Sequence, residues 1–262
     1  KGHLAISKEA VKKFKLKKII WAITKKNPFK NKSKNNLSTR IKYCKKISEK
    51  INYIQVKFYE DKIKSNKTIN LIDVKYHPSK AFDKISNKSK PYIDDCFEAA
   101  IKIINSGYTD KLINGPISKK VFLNKKFAGV TEYLADKFKR KKYAMLIYNR
   151  KLSVSTVTTH LPIKNVAKNI SKKLIIDKVI LINNFFKKFI GINKPRIGVA
   201  GLNPHCESTN NFNEDLIILK PAIQYLSKKG IKISGPFAAD TIFLKNNRKN
   251  FDIILGMYHD QV

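Results

Sequence analysis

The 262-residue chain carries 55 basic against 19 acidic residues, a formal charge of +36, with 42% hydrophobic content. That apolar fraction, with 15 Phe and 11 Tyr, excludes a disordered chain and suffices for one large core or two smaller ones. Apolar runs such as "LIIDKVILI" are broken by charge, so no transmembrane helix is expected, and "KGHLAISKEAVKKFKLKK" lacks the apolar stretch of a secretory signal.

In chain order, "KKIIWAIT" reads as a buried strand, "NLSTRIKYCKKISEKI" as a helix and "YIQVKFYE" as a second strand. The polar stretch "FYEDKIKSNKTINLID" (58–73) is the expected seam, with first proteolytic cuts between Lys62 and Lys67. From Asp73 onward, short β-rich runs alternate with helical patterns, which implies an α/β architecture. "PYIDDCFEAAIKIINSG" (91–107) has helical spacing with Pro at its start and Gly at its end, and "DKLING" (110–115) reads as a strand entering a Gly-Pro turn. "YAMLIY" and "LSVSTVTT" read as strands joined by the tight "NRK" turn. "SKKLIIDKVILINNFFKKF" is an amphipathic helix, "RIGVAGL" a strand, and "NEDLIILKPAIQYLSKKG" another helix. "IKISGPFAAD" and "DIILGMYHD" each run from a strand into polar residues.

These late strands share a feature: each ends in His or Asp. His160 follows "SVSTVTT", His205 follows "IGVAGLNP", Asp240 follows "ISGPFAA", and His259 with Asp260 closes "IILGMY". Strand ends meeting at one sheet edge would gather groups that are distant in sequence. His160 and His205 are the sharp candidates, because imidazole is the commonest ligand for zinc and related ions and adjacent strand ends can share one ion. Spacing alone favours a solvated loop histidine over a ligand. Cys206 beside His205 reads as a packed small residue, and Cys44, Cys96 and Cys206 form neither a disulfide framework nor a CxxC knuckle. None of the ten glycines makes GxGxxG, GxxxxGK[ST] or GxSxG. Gly115 to Lys120 could offer an anion backbone N–H groups and a lysine, but reads first as an ordinary turn. The lysines are spread through every segment and the aromatics sit inside apolar runs, so nonspecific, salt-sensitive phosphate attraction is expected, with neither specific nucleic acid nor a membrane as partner.

"NGPISKKVF", "FAGVTEYLADKF", "TTHLP", "GLNPHCES", "GPFAADTIF" and "MYHDQ" stand in the order and spacing seen in 4-hydroxythreonine-4-phosphate dehydrogenases. From Asp73 to Val262 the chain resembles that family. The resemblance implies an α/β fold of three-layer α/β/α type, like the isocitrate and isopropylmalate dehydrogenases, here incomplete. It also implies a homodimer, a phosphorylated amino-acid substrate, NAD or NADP without the usual Gly-rich fingerprint, and a divalent metal (Zn, Mg or Co); the expected location, from the cysteine pattern and the lack of an apolar leader, is cytoplasmic. Carried over by motif, His160 and His205 fall on metal ligands, Thr131 on a substrate-binding threonine, and Asp240 on an acidic position that handles or orients a proton. Val130 stands where the family has histidine in "GHTE". The family's third metal histidine and its phosphate-gripping residues are expected beyond Val262, which predicts weak metal binding and little turnover.

Residues 1–72 lack the family's "GEP-GIG" segment. "KGHLAISKEA", "IIWAITKKNPFK" and "NKTINLI" instead resemble nicotinate-nucleotide adenylyltransferase, with His3 as the second histidine of its HxGH motif. The expected organisation is therefore a Rossmann-like nucleotidyltransferase fragment (1–72), packing poorly against a dehydrogenase body (73–262). Adenylyl transfer to nicotinate mononucleotide and a non-catalytic basic binding module are the alternative functions. Nucleotide-dependent pyrophosphate release would mark the first, and salt-labile DNA retention the second.

Overall fold

The computed structural model describes residues 20–22, 52–56, 68–72, 74–76, 86–124, 126–208 and 212–262. The chain gathers into two compact units, Lys1–Lys126 and Phe127–Val262. The helix expected at 36–51, residues 58–67 of the seam expected at 58–73, and His3 lie outside the described residues, and the boundary expected at 72/73 falls within the first unit.

In the first unit β1 (Ile20–Ala22), β2 (Asn52–Val56) and β3 (Thr68–Ile72) form a parallel sheet in the order β1-β3-β2. The strands read in "KKIIWAIT" and "YIQVKFYE" are therefore present, whereas β3 occupies the end of the stretch 58–73 expected as a polar seam. Helix α1 (Lys90–Asn105) starts with Pro91 in its first turn, where a missing N–H is no loss, and buries Phe97, Ala99 and Ile101. Gly107, at φ 79°, follows its end in the left-handed region that glycine tolerates. Phe97 stacks on Phe122 of α2 (Lys119–Phe122) with centroids 5.6 Å apart. "DKLING" is not a strand: it pairs with no ladder among the described residues. Its apolar part is only Leu112-Ile113, too short to make an alternating buried face, and Ile113 is exposed.

The second unit is built on a mixed sheet. It contains α3 (Val130–Lys137), β4 (Leu146–Ile147), β5 (Ser153–Thr156), α4 (Val166–Asn169), α5 (Lys172–Phe185), β6 (Ile197–Ala200) and α6 (Lys220–Lys228). Then come β7 (Ile233–Phe237), α7 (Ala239–Ile242), α8 (Lys245–Arg248) and β8 (Ile253–Gly256). Strand order is β4-β5-β8-β6-β7, with β4 antiparallel at one edge and the other pairings parallel. The last strand in sequence thus lies in the middle. All four residues of β8 are buried, which matches the unbroken apolar run "IILG" of a strand covered on both faces.

Alternate residues divide that burial. Ile253 and Leu255, with Ile197 and Val199 of β6, pack under α5 and α6 through Ile175, Val179, Ile182 and Leu226. Ile254 and Ala200 face a smaller cluster with Ile242 of α7 and Phe251. Ser171 caps α5, its hydroxyl accepting from the Leu174 N–H at 3.2 Å.

The N-terminal edge of this sheet is clamped by charge. Asp252, just before β8, accepts from the Arg196 backbone N–H at 2.8 Å and from its guanidinium at 3.0 and 3.2 Å. Burial pushes the Asp252 carboxyl up, but these bonds and the Arg196 charge outweigh it and hold it below the usual carboxylate range. A depressed carboxylate stabilises the fold above its unfolded-state pKa, and that contribution fades as pH falls through the folded-state value. Asp252→Asn is expected to cost about 1 kcal/mol near neutrality for so solvent-screened a pair. The gap to the unsubstituted protein should close only in acid, below the usual carboxylate range. Urea melts across a pH series measure it, and a gap that stays constant into acid would sink this account.

Candidate active site

Four parallel strands end at one edge of the sheet, and each hands the chain to a polar residue singled out above. Beyond β5 the ladder continues, with the Val157 and Thr158 N–H groups donating to Gly256 and Met257 carbonyls at 2.9 and 3.1 Å, and then releases His160. Beyond β6 the turn Pro204–Cys206 carries His205; beyond β7 Asp240 stands in the first turn of α7; beyond β8 come His259 and Asp260. Loops past strand carboxyl ends are where α/β sheets place their sites.

The strand order corrects one expectation. β5 and β6, which carry His160 and His205, are not adjacent: β8 lies between them. Local pattern reveals that a run is a strand but not where it inserts. The consequence is that His259 is His160's neighbour, with ring centroids 5.6 Å apart and planes tilted by 32°.

His160 also has a carboxylate that the sequence reading passed over. Glu132, in the first turn of α3, lies 3.2 and 3.3 Å from His160 Nδ1 through its two oxygens. The Thr159 hydroxyl donates to the same carboxylate. Burial pushes the Glu132 carboxyl up, yet the bonds from Thr159, its own backbone N–H and His160 together hold it below its ordinary value. A Cβ on Gly129 would stand 2.5 Å from His160 Cε1 and 2.8 Å from Glu132 Oε2, so the close approach requires glycine. Thr131 is half-buried beside Glu132, at the start of α3. A "TE" pair opening a helix after Gly129 was the available signal for Glu132.

The loop bearing His205 is fixed from below. Asp215 is fully buried, and its carboxylate accepts from the Leu202 and Asn203 N–H groups at 2.7 and 3.0 Å and from Asn203 Nδ2 at 3.0 Å. A Cβ on Gly201 would meet Cys206 Sγ at 2.5 Å, so Cys206 packs into the loop. Burial, followed by the Asp215 charge, raises the Cys206 thiol pKa, which suits a packed residue better than a ligand. Asp240 is close enough for its charge to add to that rise. Gln261 ties two strand ends together: it accepts from Met257 N–H at 2.6 Å and donates to the Gly201 carbonyl at 2.6 Å. His205 itself is exposed and adopts φ 56°.

The donor set fits a borderline-soft divalent ion: imidazoles on consecutive strand ends, one held by a carboxylate. Among the described residues no three His, Cys, Asp or Glu side chains stand together closely enough to hold a metal ion. Among them also, no helix is long and apolar enough to cross a membrane.

Fold and edge together define an α/β enzyme with an imidazole–carboxylate site beyond the carboxyl ends of parallel strands. Over residues 21–262 the chain matches the profile of one family, and it belongs to that family, the pyridoxal phosphate biosynthetic protein PdxA. It is 39% identical over 240 residues to a 4-hydroxythreonine-4-phosphate dehydrogenase of Sulfurihydrogenibium sp., covering 87% of this chain and 73% of that one. It is 34% identical over 184 residues to the enzyme of the same name from Neisseria meningitidis serogroup A, covering 68% of this chain but only 56% of the relative. The crystal structure of a 4-hydroxythreonine-4-phosphate dehydrogenase from Burkholderia phymatum superposes with a TM-score of 0.62 at 28% identity, over 85% of this chain and 69% of that one. The family match takes in most of the 1–72 stretch, and adenylyl transfer is not favoured.

Asp215→Ala should orphan two buried N–H donors under the His205 loop and destabilise the protein by about 3 kcal/mol. Asp215→Asn, which keeps one acceptor oxygen, should cost less. Urea denaturation decides, and an alanine variant within about 0.5 kcal/mol of the parent would show that the loop does not depend on this carboxylate.

Proposed function

We propose that this chain oxidises the C3 hydroxyl of 4-phosphooxy-L-threonine, passing hydride to NAD or NADP, with decarboxylation of the resulting β-keto acid. The observation that carries the reading is the meeting of His160, Glu132 and His259 at the carboxyl edge of β5 and β8, on motifs shared with dehydrogenases of that name. His160, His205 and His259 would hold the divalent ion, Zn, Mg or Co. When bound, the ion supplies Lewis acidity that favours ionisation of the substrate hydroxyl. Thr131, at the start of α3, would hold the substrate by its hydroxyl, and Val130 offers it no polar contact there. Asp240, exposed at the first turn of α7, would orient the reacting group or take its proton. The nicotinamide supplies the hydride acceptor, and the protein supplies position and electrostatics. A homodimer is part of this reading.

The test is NADH or NADPH formation from 4-phosphooxy-L-threonine with zinc, magnesium or cobalt, in the parent, His160→Ala, His205→Ala and Asp240→Asn proteins. Each histidine variant is expected to lose about 100-fold in kcat/KM, roughly 3 kcal/mol of transition-state stabilisation. Metal-dependent turnover unaffected by both histidine substitutions would defeat the assignment.

A further inference from the structure

We propose that Glu132 is a positioning residue for His160, holding the imidazole in the Nδ1–H tautomer so that Nε2 keeps the free lone pair. The inference rests on the reading of His160 as a metal ligand and adds to it the group that prepares the ligand.

Three observations converge. Both carboxylate oxygens lie within 3.3 Å of Nδ1, and neither competes for Nε2. An ionised carboxylate only accepts hydrogen bonds, so the Thr159 hydroxyl and His160 Nδ1 must both donate to it. A neutral imidazole that donates through Nδ1 has its lone pair on Nε2, the nitrogen then available to an ion or a substrate proton. Glu132 itself is fixed: its backbone belongs to α3, Thr159 holds one oxygen, and Gly129 leaves no room for a side chain between carboxylate and ring. Glycine at 129 has no other evident task, since its backbone is extended at φ −159° and any residue adopts that conformation. Space for the Glu132–His160 pair is what demands it.

The Glu132 carboxylate does not touch the reacting atoms in this account; it acts through His160. Partners of this kind fix ring orientation and raise ligand basicity, and their loss typically weakens metal affinity about 10- to 100-fold.

Long-range proton–nitrogen NMR of the histidine rings, in metal-free protein and in alkaline buffer where imidazole is neutral, reads the tautomer directly. His160 in the parent protein should carry its hydrogen on Nδ1. Glu132→Ala should shift it toward Nε2–H, and Glu132→Gln, whose amide oxygen still accepts, should largely restore Nδ1–H. Calorimetric titration with zinc alone should show affinity falling about 10- to 100-fold in Glu132→Ala, with partial recovery in Glu132→Gln. A parent His160 found as Nε2–H, or an alanine variant that keeps Nδ1–H, overturns the proposal. If His160→Ala leaves zinc affinity unchanged, the metal reading fails while the tautomer result stands, so the two failures are distinguishable.

Discussion

Strand β8 being paired on both sides is the constraint from which the second unit follows. Its register sets Thr156 of β5 opposite Gly256 and Val199 of β6 opposite Leu255, so three strands end nearly level. Parallel strands spaced about 4.8 Å apart put successive loops within side-chain reach of one another, whereas an antiparallel neighbour would send alternate loops to opposite edges. The placement of His160, His259, the His205 turn and Asp240 beyond the same sheet edge is thus a property of backbone pairing before it is one of side chains. The same pairing requires both faces of β8 to be covered. The α5–α6 layer does this with a large aliphatic cluster, and α7 does it with a small one.

Ending strands level at an edge creates a second demand, because their last N–H and C=O groups leave the ladder inside the protein. Side chains and close backbone approaches meet it. Gln261 spans from Met257 to Gly201, the Gly201 N–H donates to the Phe237 carbonyl at 2.8 Å, and the Thr158 hydroxyl donates to the Met257 carbonyl at 2.7 Å. Asp215 takes the donors just past Gly201. These bonds stiffen the loops that carry the imidazoles, so the backbone supports of that edge are already made.

What was legible in the sequence follows the same division. Strands and helices of the second unit announce themselves by period, and the terminal His and Asp of each late strand were visible as a series. The order of strands was not, because apolar periodicity says nothing about insertion of the final strand between two earlier ones. His259 was therefore noted as a strand end but not as the neighbour of His160. Glu132 was missed for a different reason. It comes from a helix 28 residues before His160, and only the folded chain brings them together. Gly129 gave a clue that is clear in retrospect: a glycine whose backbone angles need no glycine signals a neighbour that is too close. "DKLING" erred in the opposite sense, since two apolar residues flanked by turn formers offer a sheet nothing to bury.

One of the chain's many positive charges, Lys178, lies in the core. This lysine lies in the middle of α5 and is only 6% exposed, among residues that build the main core. Its Nζ donates to the Tyr143 carbonyl at 2.6 Å and sits 4.4 Å from the centre of the Tyr143 ring. Burial lowers its pKa, and the Glu132 charge opposes that fall. A carbonyl and a ring face partly replace the lost water, an arrangement by which a long side chain can occupy a core position. The few acidic groups carry a correspondingly larger share of the specific work. Glu132 and Asp215 hold side-chain and backbone donors at the carboxyl edge of the sheet, while Asp252 holds Arg196 at the opposite edge.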